Sequence, residues 1–293
     1  MILDGFCQRH GLPERYLESA RQYFLPFADW LEDRIAEHGG KTYVLGLNGA
    51  QGTGKSTLAQ LISDYLESQN ARNVVILSID DIYLTRKERR ALADRVHPLL
   101  VTRGVPGTHD VGLGISVIEH LKSLQAGETL EVPRFDKSRD DRCPQSDWST
   151  VTGPVDLVIF EGWCVGSQSV SDNELKAPLN ALESSEDPDG RWRTYVNEQL
   201  RTDYAELFAL LDGLLFLKAP DFDAVFRWRL EQEHKLRDRA GSDAAAIMSD
   251  EQVATFIRHY ERITRHNIAV FPSIAEAVID LDVDHHATSL RCR

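Results

Sequence analysis

Eight consecutive residues early in the chain sharply narrow the range of possible folds. Residues 49–56 read Gly-Ala-Gln-Gly-Thr-Gly-Lys-Ser, which satisfies the pattern G-x-x-x-x-G-K-[ST]. The glycines allow positive φ and let backbone N–H groups approach phosphate oxygens, the lysine adds a mobile positive charge, and the serine hydroxyl suits Mg²⁺. The stretch therefore predicts a nucleoside triphosphate site. Its expected nucleotide-binding residues are Gly49, Ala50, Gln51, Gly52, Thr53, Gly54, Lys55, Ser56 and Thr57.

The residues around this loop have the order that the motif requires. Residues 43–47 form a short apolar run typical of a buried parallel strand. After the loop, apolar residues recur at positions 58, 61, 62 and 65, the spacing of one helix face. A strand, a glycine-rich loop and a helix thus follow one another.

Apolar runs of strand length alternate with segments of helical spacing from residue 41 onward. We expect strands at residues 43–47, 74–79, 155–160, 214–217 and 278–283, and helices at residues 86–95, 115–125, 192–211, 222–239 and 250–264. This alternation is typical of a mostly parallel sheet with helices on both faces. The predicted fold class is α/β, a P-loop NTPase with three α/β/α layers. Residues 41–293 would form this domain, and residues 1–40 an N-terminal helical extension.

Composition limits the partners of the protein. The formal net charge of −13 repels nucleic acid at long range, so we expect a small-molecule partner and no nucleic acid. No apolar stretch reaches the length of a membrane span, and the first residues lack the features of a signal peptide. The four cysteines form no C-x-x-C pair, which indicates free thiols. We expect a cytoplasmic protein without membrane attachment, and the sequence leaves its oligomeric state open.

Carboxylates follow two of the predicted strands. Asp80 and Asp81 come after the second strand, and Glu161 comes after the third. Ligands bind outside the carboxyl ends of parallel strands, and phosphoryl transfer uses acids at the acceptor hydroxyl and near Mg²⁺. We assign Asp80 to the acceptor hydroxyl, with Asp81 as the alternative, and Glu161 to the metal. The predicted metal-binding residues are Ser56, Glu161 and Asp80; capping of the next turn is the other interpretation of these acids.

Several segments together resemble a known superfamily. The phosphate loop with residues 78–85 and 160–163 is similar to the P-loop small-molecule kinases that include phosphoribulokinase, uridine kinase and pantothenate kinase. Three further segments resemble plant-type D-glycerate 3-kinases and their bacterial and fungal kinase-like relatives: RGVPGTHD at 103–110, VPRFDKS at 132–138 and WRLEQE at 228–233. The resemblance extends from about residue 41 to the C-terminus.

The resemblance implies ATP as the phosphoryl donor, Mg²⁺ as the cofactor and D-glycerate as the acceptor. It implies that Asp80 holds the position of the family's base and that Glu161 closes the Walker B strand. Ile82 departs from the aromatic residue usual in the first of these segments. The family also has a lid helix over the nucleotide, which would lie at about residues 221–249 here.

A locally basic segment coincides with this predicted lid. Five basic residues lie between positions 227 and 239 of an otherwise acidic chain, as expected of a helix that covers a polyphosphate. We choose Arg229 as the residue that reaches phosphate, so the predicted catalytic residues are Lys55, Asp80, Glu161 and Arg229. The alternative is a solvated helix with ion pairs four residues apart.

Two polar loops are the predicted acceptor site. Burial of an unpaired substrate carboxylate costs several kcal/mol, so a hydroxy acid needs cationic and hydrogen-bonding partners. The predicted substrate residues are Arg103, His109, Asp110, Arg134, Asp136 and Lys137. Arg103 and Arg134 are the expected carboxylate clamps. For His109 and Asp110, a role in capping a turn or helix is an equally good interpretation.

Three functions compete. The leading hypothesis is an ATP-dependent kinase that converts D-glycerate to 3-phosphoglycerate. The second keeps the fold but has a nucleoside or a pantothenate-like acceptor. The third is a P-loop switch or nucleic-acid motor, which the missing N-K-x-D tetrapeptide and the acidic charge disfavour.

Overall fold

The computed structural model describes residues 2–240 and 248–293. The strands in these ranges are β1 (Tyr43–Gly49), β2 (Val74–Ser78), β3 (Thr129–Val132), β4 (Phe135–Asp136), β5 (Asp141–Arg142), β6 (Ser149–Thr152), β7 (Leu157–Gly162), β8 (Gly213–Lys218), β9 (Ala277–Leu281) and β10 (Ala287–Cys292). The helices are α1 (Ile2–His10), α2 (Glu14–Ser19), α3 (Leu25–Glu37), α4 (Lys55–Asn70), α5 (Arg86–Arg95), α6 (Val111–Ser123), α7 (Ala181–Glu186), α8 (Arg191–Arg201), α9 (Asp203–Phe208), α10 (Phe222–Ala240), α11 (Asp250–Ile257) and α12 (Glu261–Ile274).

The central sheet brings the ends of the predicted strands together. Within the described ranges it has six strands in the order β10-β9-β8-β1-β7-β2, all parallel except β10. Strands β1 and β7 are buried along their whole length, as expected of the middle of a parallel sheet. The register places Ser78 of β2 beside Glu161 of β7, and Asn48 of β1 beside Gly162. The predicted three-layer α/β fold is confirmed, and the strands that carry the predicted acids end at one edge of the sheet.

The N-terminal helices pack on the domain that follows them. Phe6, Phe27 and Leu31 are fully buried in the same hydrophobic core as Leu45 of β1 and Leu58 of α4. A five-residue π-helical turn joins α2 to α3, and α3 packs against α4. The helical character of this region is thus as predicted, whereas a domain boundary near residue 40 stays a prediction. No helix in the described part of the chain is long and apolar enough to cross a membrane.

Several predicted elements differ from the observed ones. The predicted helix 192–211 is interrupted at Thr202, whose φ of −112° and ψ of −98° leave the helical region. The predicted helix 250–264 ends at Ile257, and α12 then continues to Ile274. Helix α6 begins earlier than predicted because Asp110 caps it.

The last predicted strand, 278–283, also differs. It stops at Leu281 because Asp282 accepts hydrogen bonds from two backbone N–H groups of the following turn. The sequence prediction missed β10, a half-exposed edge strand that has no apolar run. The predicted helix 86–95 coincides with α5, and a capping box of Thr85 and Glu88 stabilises the N-terminus of this helix.

Candidate active site

The predicted phosphate loop joins β1 to α4, with Gly49 at the end of the strand and Lys55 at the start of the helix. Gly52 and Gly54 have φ of 81° and 82°, which side-chain-bearing residues rarely adopt. The nine predicted nucleotide-binding residues occupy this loop and the first turn of α4. A loop and helix start of this kind direct backbone N–H groups toward an anion.

A serine and a glutamate form the predicted metal side of the site. The Ser56 hydroxyl donates a hydrogen bond to Oε1 of Glu161 at 2.9 Å. Glu161 is only 5% exposed, and its Oε2 has no hydrogen-bond partner among the described residues. An unpartnered buried carboxylate oxygen is unfavourable, so it fits a cation or the water bound to one. Mg²⁺ takes one or two protein oxygens and completes its shell with phosphate and water, so Ser56 and Glu161 suit it.

Asp80 lies in the short helical turn Ile79–Ile82 that follows β2. Its carboxylate accepts hydrogen bonds from the Tyr83 hydroxyl at 2.7 Å and from Lys137 Nζ at 2.6 Å. Burial alone would raise the pKa of Asp80, but Lys137, Lys55 and the Tyr83 hydroxyl together lower it to about 2. Asp80 is therefore an ionised carboxylate within electrostatic reach of the P-loop lysine.

The neighbouring Asp81 has different partners. Its Oδ1 accepts a hydrogen bond from the backbone N–H of Phe135 at 3.2 Å, and its Oδ2 lies 3.6 Å from Arg134 Nη1. Burial raises the pKa of Asp81, and Arg134 offsets this only in part. Asp81 thus holds strand β4 beside the site, whereas Asp80 contacts the lysine and the tyrosine.

The β4–β5 turn presents Lys137. Asp136 is half-buried, and its Oδ1 accepts hydrogen bonds from the N–H and the hydroxyl of Ser138, at 2.8 Å and 2.6 Å. Asp136 therefore closes its own turn, whereas the adjacent Lys137 reaches Asp80. The structure brings the lysine to the site and leaves Asp136 outside it.

Two other predicted substrate residues are bound within the protein. Arg103 pairs with Asp140, and its guanidinium lies over the Phe135 ring, 5.6 Å from the centroid. Asp110 is the N-cap of α6: its Oδ1 accepts from the N–H of Leu113 and its Oδ2 from Arg142, each at 3.0 Å. Asp110 therefore has the capping role that the sequence also allowed.

His109 lies in the first of the two predicted acceptor loops and is only 4% exposed. Its ring stacks on Tyr83 with the centroids 4.5 Å apart, and its Nδ1 lies 2.5 Å from the Tyr204 hydroxyl. Burial lowers the pKa of His109 to about 3, although the negative charge of Asp80 acts in the opposite direction. His109 is thus a neutral imidazole that Tyr83 separates from the Asp80 carboxylate.

Aromatic residues hold the acceptor loop in place. Trp163 Nε1 donates a hydrogen bond to the Gly104 carbonyl at 2.9 Å, and the Tyr260 hydroxyl donates to the Arg103 carbonyl at 3.1 Å. The rings of Trp163 and Tyr260 meet edge to face, 4.8 Å apart. Neither residue is among the site residues predicted from the sequence.

Helix α10, the predicted lid, is seated on the phosphate loop through Trp228. A Cβ atom added at Gly52 would lie 2.6 Å from Cβ of Trp228, so this glycine permits the close approach. The Trp228 indole donates to the Val283 carbonyl at 2.9 Å and stacks on His285 at 4.2 Å. Sequence periodicity gave no signal for this contact.

The predicted phosphate-reaching arginine is paired within α10. Arg229 Nη1 lies 2.6 Å from Oε2 of Glu233, and both side chains are largely buried. Arg227 and Lys235 of the same helix are exposed. Residues 241–247 of the predicted lid lie outside the described residues. Which cation of this helix meets phosphate stays a prediction.

A phosphate loop, a buried glutamate bonded to the loop serine, a second acid beside a lysine and a helix seated on the loop are typical of the class of P-loop phosphotransferases. No protein-family model matches the chain. Chloroplastic D-glycerate 3-kinase of Arabidopsis thaliana is 33% identical over 253 residues, which cover 81% of this chain and 52% of the plant protein. An uncharacterized kinase of Schizosaccharomyces pombe is 36% identical over 234 residues, which cover 75% of this chain and 79% of the yeast protein.

A solved structure agrees with these sequence relatives. D-glycerate 3-kinase from Cryptococcus neoformans var. grubii superimposes with a TM-score of 0.76 at 26% identity, over 92% of this chain and 99% of that one. The chain spans about half the length of the plant relative and most of the length of the two fungal ones. It belongs to the family of P-loop kinases that includes the D-glycerate 3-kinases.

Proposed function

We propose that the protein transfers the γ-phosphoryl group of ATP to a hydroxyl of D-glycerate and so forms 3-phosphoglycerate. The observation that carries this proposal is the ionised Asp80, which lies beside Lys137 and within reach of the P-loop Lys55. The naming of two relatives as D-glycerate 3-kinases supports the choice of acceptor.

Asp80 would act mainly by orienting the acceptor hydroxyl. A carboxylate with a pKa of about 2 is a weak base, so it does not remove the hydroxyl proton before reaction. In the loose transition state of phosphoryl transfer, the new O–P bond forms while the bond from Pγ to the leaving oxygen breaks. The hydroxyl becomes acidic late in this process, and Asp80 then accepts its proton and ADP leaves.

Ser56 and Glu161 would hold Mg²⁺, the serine through its hydroxyl and the glutamate through the metal's water shell or directly. When bound, the ion neutralises charge on the phosphate oxygens. Oε1 of Glu161 accepts the Ser56 hydrogen bond, whereas its Oε2 has no hydrogen-bond partner among the described residues. This unpaired carboxylate oxygen supports the assignment, because a cation or its bound water would pair with it. Lys55 would bind the β- and γ-phosphates.

Arg134 and Lys137 are the proposed clamps for the glycerate carboxylate. Their side chains are 53% and 61% exposed, so both can contact a ligand while they stay beside Asp81 and Asp80. Arg103, which is paired with Asp140, would contribute charge and order the loop. Arg229 is our proposal for the lid arginine, and the exposed Arg227 is the alternative.

We further propose that the protein works in the cytoplasm on small molecules, without a nucleic-acid partner. Its net charge of −13 and its four free thiols support this. Fractionation of cells that produce the protein tests the location, and a mobility-shift titration with DNA and RNA tests the partner.

An acceptor screen tests the central proposal. The purified protein is supplied with MgATP and with D-glycerate, L-glycerate, uridine or pantothenate, and ADP release is followed. Saturable turnover with D-glycerate, and a product with the ³¹P spectrum of 3-phosphoglycerate, would support the proposal. Turnover with uridine or pantothenate but not with D-glycerate would overturn it, as would acceptor-independent ATP hydrolysis that DNA or RNA stimulates. The Asp80→Asn variant serves as the matched control for contaminating kinases.

A further inference from the structure

Tyr204 of α9 is fully buried, and its hydroxyl oxygen has two hydrogen-bond neighbours. It accepts a hydrogen bond from the backbone N–H of Gly107 at 2.9 Å. Its other neighbour is Nδ1 of His109, at 2.5 Å. A hydroxyl has one proton, and a buried donor without an acceptor is costly. Among the described residues, Nδ1 is the one acceptor that this hydroxyl meets at hydrogen-bond distance, so the proton points to Nδ1.

This arrangement determines the protonation of His109. Burial raises the pKa of Tyr204 well above its usual value, so the phenol keeps its proton and remains a donor. Nδ1 of His109 must then be the acceptor, and in the neutral imidazole the single proton resides on Nε2. Nε2 is buried and has no hydrogen-bond partner among the described residues.

The unpartnered Nε2–H belongs to a ring that Tyr83 links to Asp80. The His109 ring stacks on Tyr83, and the Tyr83 hydroxyl donates to Asp80 at 2.7 Å. The negative charge of Asp80 also opposes the effect of burial on the pKa of His109. A donor without a partner is therefore one side chain away from the carboxylate that would orient the acceptor hydroxyl.

We infer that Tyr204 is a positioning residue that locks His109 in its Nε2–H tautomer, and that this N–H donates to an oxygen of the acceptor. The second half rests on the proposed kinase function. A buried donor is costly to leave unpaired, so an acceptor that supplies an oxygen at this point is favoured over an analogue without one. A neutral donor also leaves the charge of Asp80 intact, which an imidazolium would partly cancel.

The tautomer can be measured without any substrate. Nitrogen-15 NMR of histidine side chains shows which ring nitrogen carries the proton, and the His109→Gln variant identifies the His109 signal by its loss. We expect Nε2–H in the wild type and a loss of the single tautomer in Tyr204→Phe. A proton on Nδ1, or on both nitrogens, at neutral pH would overturn the inference. This readout stands even if D-glycerate is not the acceptor.

Two substitutions at His109 test the contact with the acceptor. The amide nitrogen of glutamine reaches about as far as Nε2, whereas that of asparagine reaches only as far as Nδ1. His109→Asn should raise KM for the acceptor by about tenfold with KM for ATP unchanged, and His109→Gln should restore part of the loss. Equal KM values for both variants and the wild type would contradict a contact through Nε2. If the acceptor screen selects a different acceptor, the same comparison is made with that compound.

A double-mutant cycle separates positioning from a structural role of Tyr204. If Tyr204 acts through the tautomer of His109, Tyr204→Phe should raise KM for the acceptor in the wild type but not in the His109→Gln background, because an amide has no second tautomer. An equal rise in both backgrounds would mean that Tyr204 merely supports the loop. Circular dichroism and thermal unfolding of all four proteins check that each is folded.

Discussion

Replacement of Gly52 by alanine should destabilise the protein more than replacement of Gly54, because only Gly52 faces helix α10. The two residues have nearly the same φ, 81° and 82°. A Cβ at Gly52 would lie 2.6 Å from Cβ, 3.3 Å from C and 3.5 Å from Cα of Trp228, whereas a Cβ at Gly54 would meet nothing within 4 Å. The pair of variants therefore separates backbone strain from the contact with α10.

The expected magnitudes follow from these two terms. A left-handed conformation costs a residue with a Cβ about 1–2 kcal/mol, so Gly54→Ala should lose about that much unfolding free energy. Overpacking costs a further 1–3 kcal/mol or so. The overlap at Gly52 involves main-chain atoms and a Cβ, which cannot rotate away, and Trp228 is also held by its bond to Val283. Gly52→Ala should therefore lose about 2–5 kcal/mol.

Urea unfolding without nucleotide measures the difference. Nucleotide is omitted because both glycines belong to the phosphate loop, so their effects on ATP binding would be mixed with their effects on the fold. Thermal unfolding gives a second reading, in which each kcal/mol corresponds to roughly 2–4 °C. Equal losses in the two variants would refute the seating of Trp228 on the loop.

Three further predictions concern the carboxylates of the site. Asp80→Asn should lower kcat by about 10²–10⁴-fold with KM for ATP near the wild-type value, whereas Asp81→Asn should keep most of the turnover. If steady-state kinetics show the larger loss of kcat in Asp81→Asn, the roles of the two residues must be exchanged. Lys137→Met should raise the pKa of Asp80 above its value of about 2, because burial is then less opposed. Since the carboxylate is the active form, this variant should lose activity at a higher pH than the wild type as the solution is acidified. An acid limb of kcat/KM against pH that is the same in both proteins would contradict this. Glu161→Gln should raise the Mg²⁺ concentration required for half-maximal turnover, and an unaltered requirement in a Mg²⁺ titration would argue against its metal-side role.

The donor half of the site could be predicted from the sequence because its residues are contiguous. Residues 49–56 are consecutive, and the glycines in their pattern indicate the backbone conformation. Gly52 and Gly54 have the positive φ that such glycines allow. The acids Asp80 and Glu161 could also be found, because a parallel sheet places the residues that follow its strands at one edge. Local spacing and one topological rule were sufficient for this half.

The partners of charged loop residues could not be predicted in the same way. Arg103 pairs with Asp140, 37 residues later, and Arg142 with Asp110, 32 residues earlier. From the sequence alone, each arginine could pair equally well with a carboxylate of the substrate or with a carboxylate of the protein. Tertiary structure decides between them, and here it leaves Lys137 and Arg134 as the more exposed cations beside the acids.

His109 and Tyr204 show why the acceptor half carries so little local signal. They are 95 residues apart, and the apolar spacing around Tyr204 predicts only a core position. The phenol hydroxyl changes nothing in that periodicity, yet it determines which nitrogen of His109 bears the proton. If Tyr204 fixes the proton of His109 as we propose, a buried residue far along the chain affects acceptor recognition while the phosphate loop stays the same. On this proposal, the phosphate loop of the chain indicates the phosphoryl donor but carries no information about the acceptor.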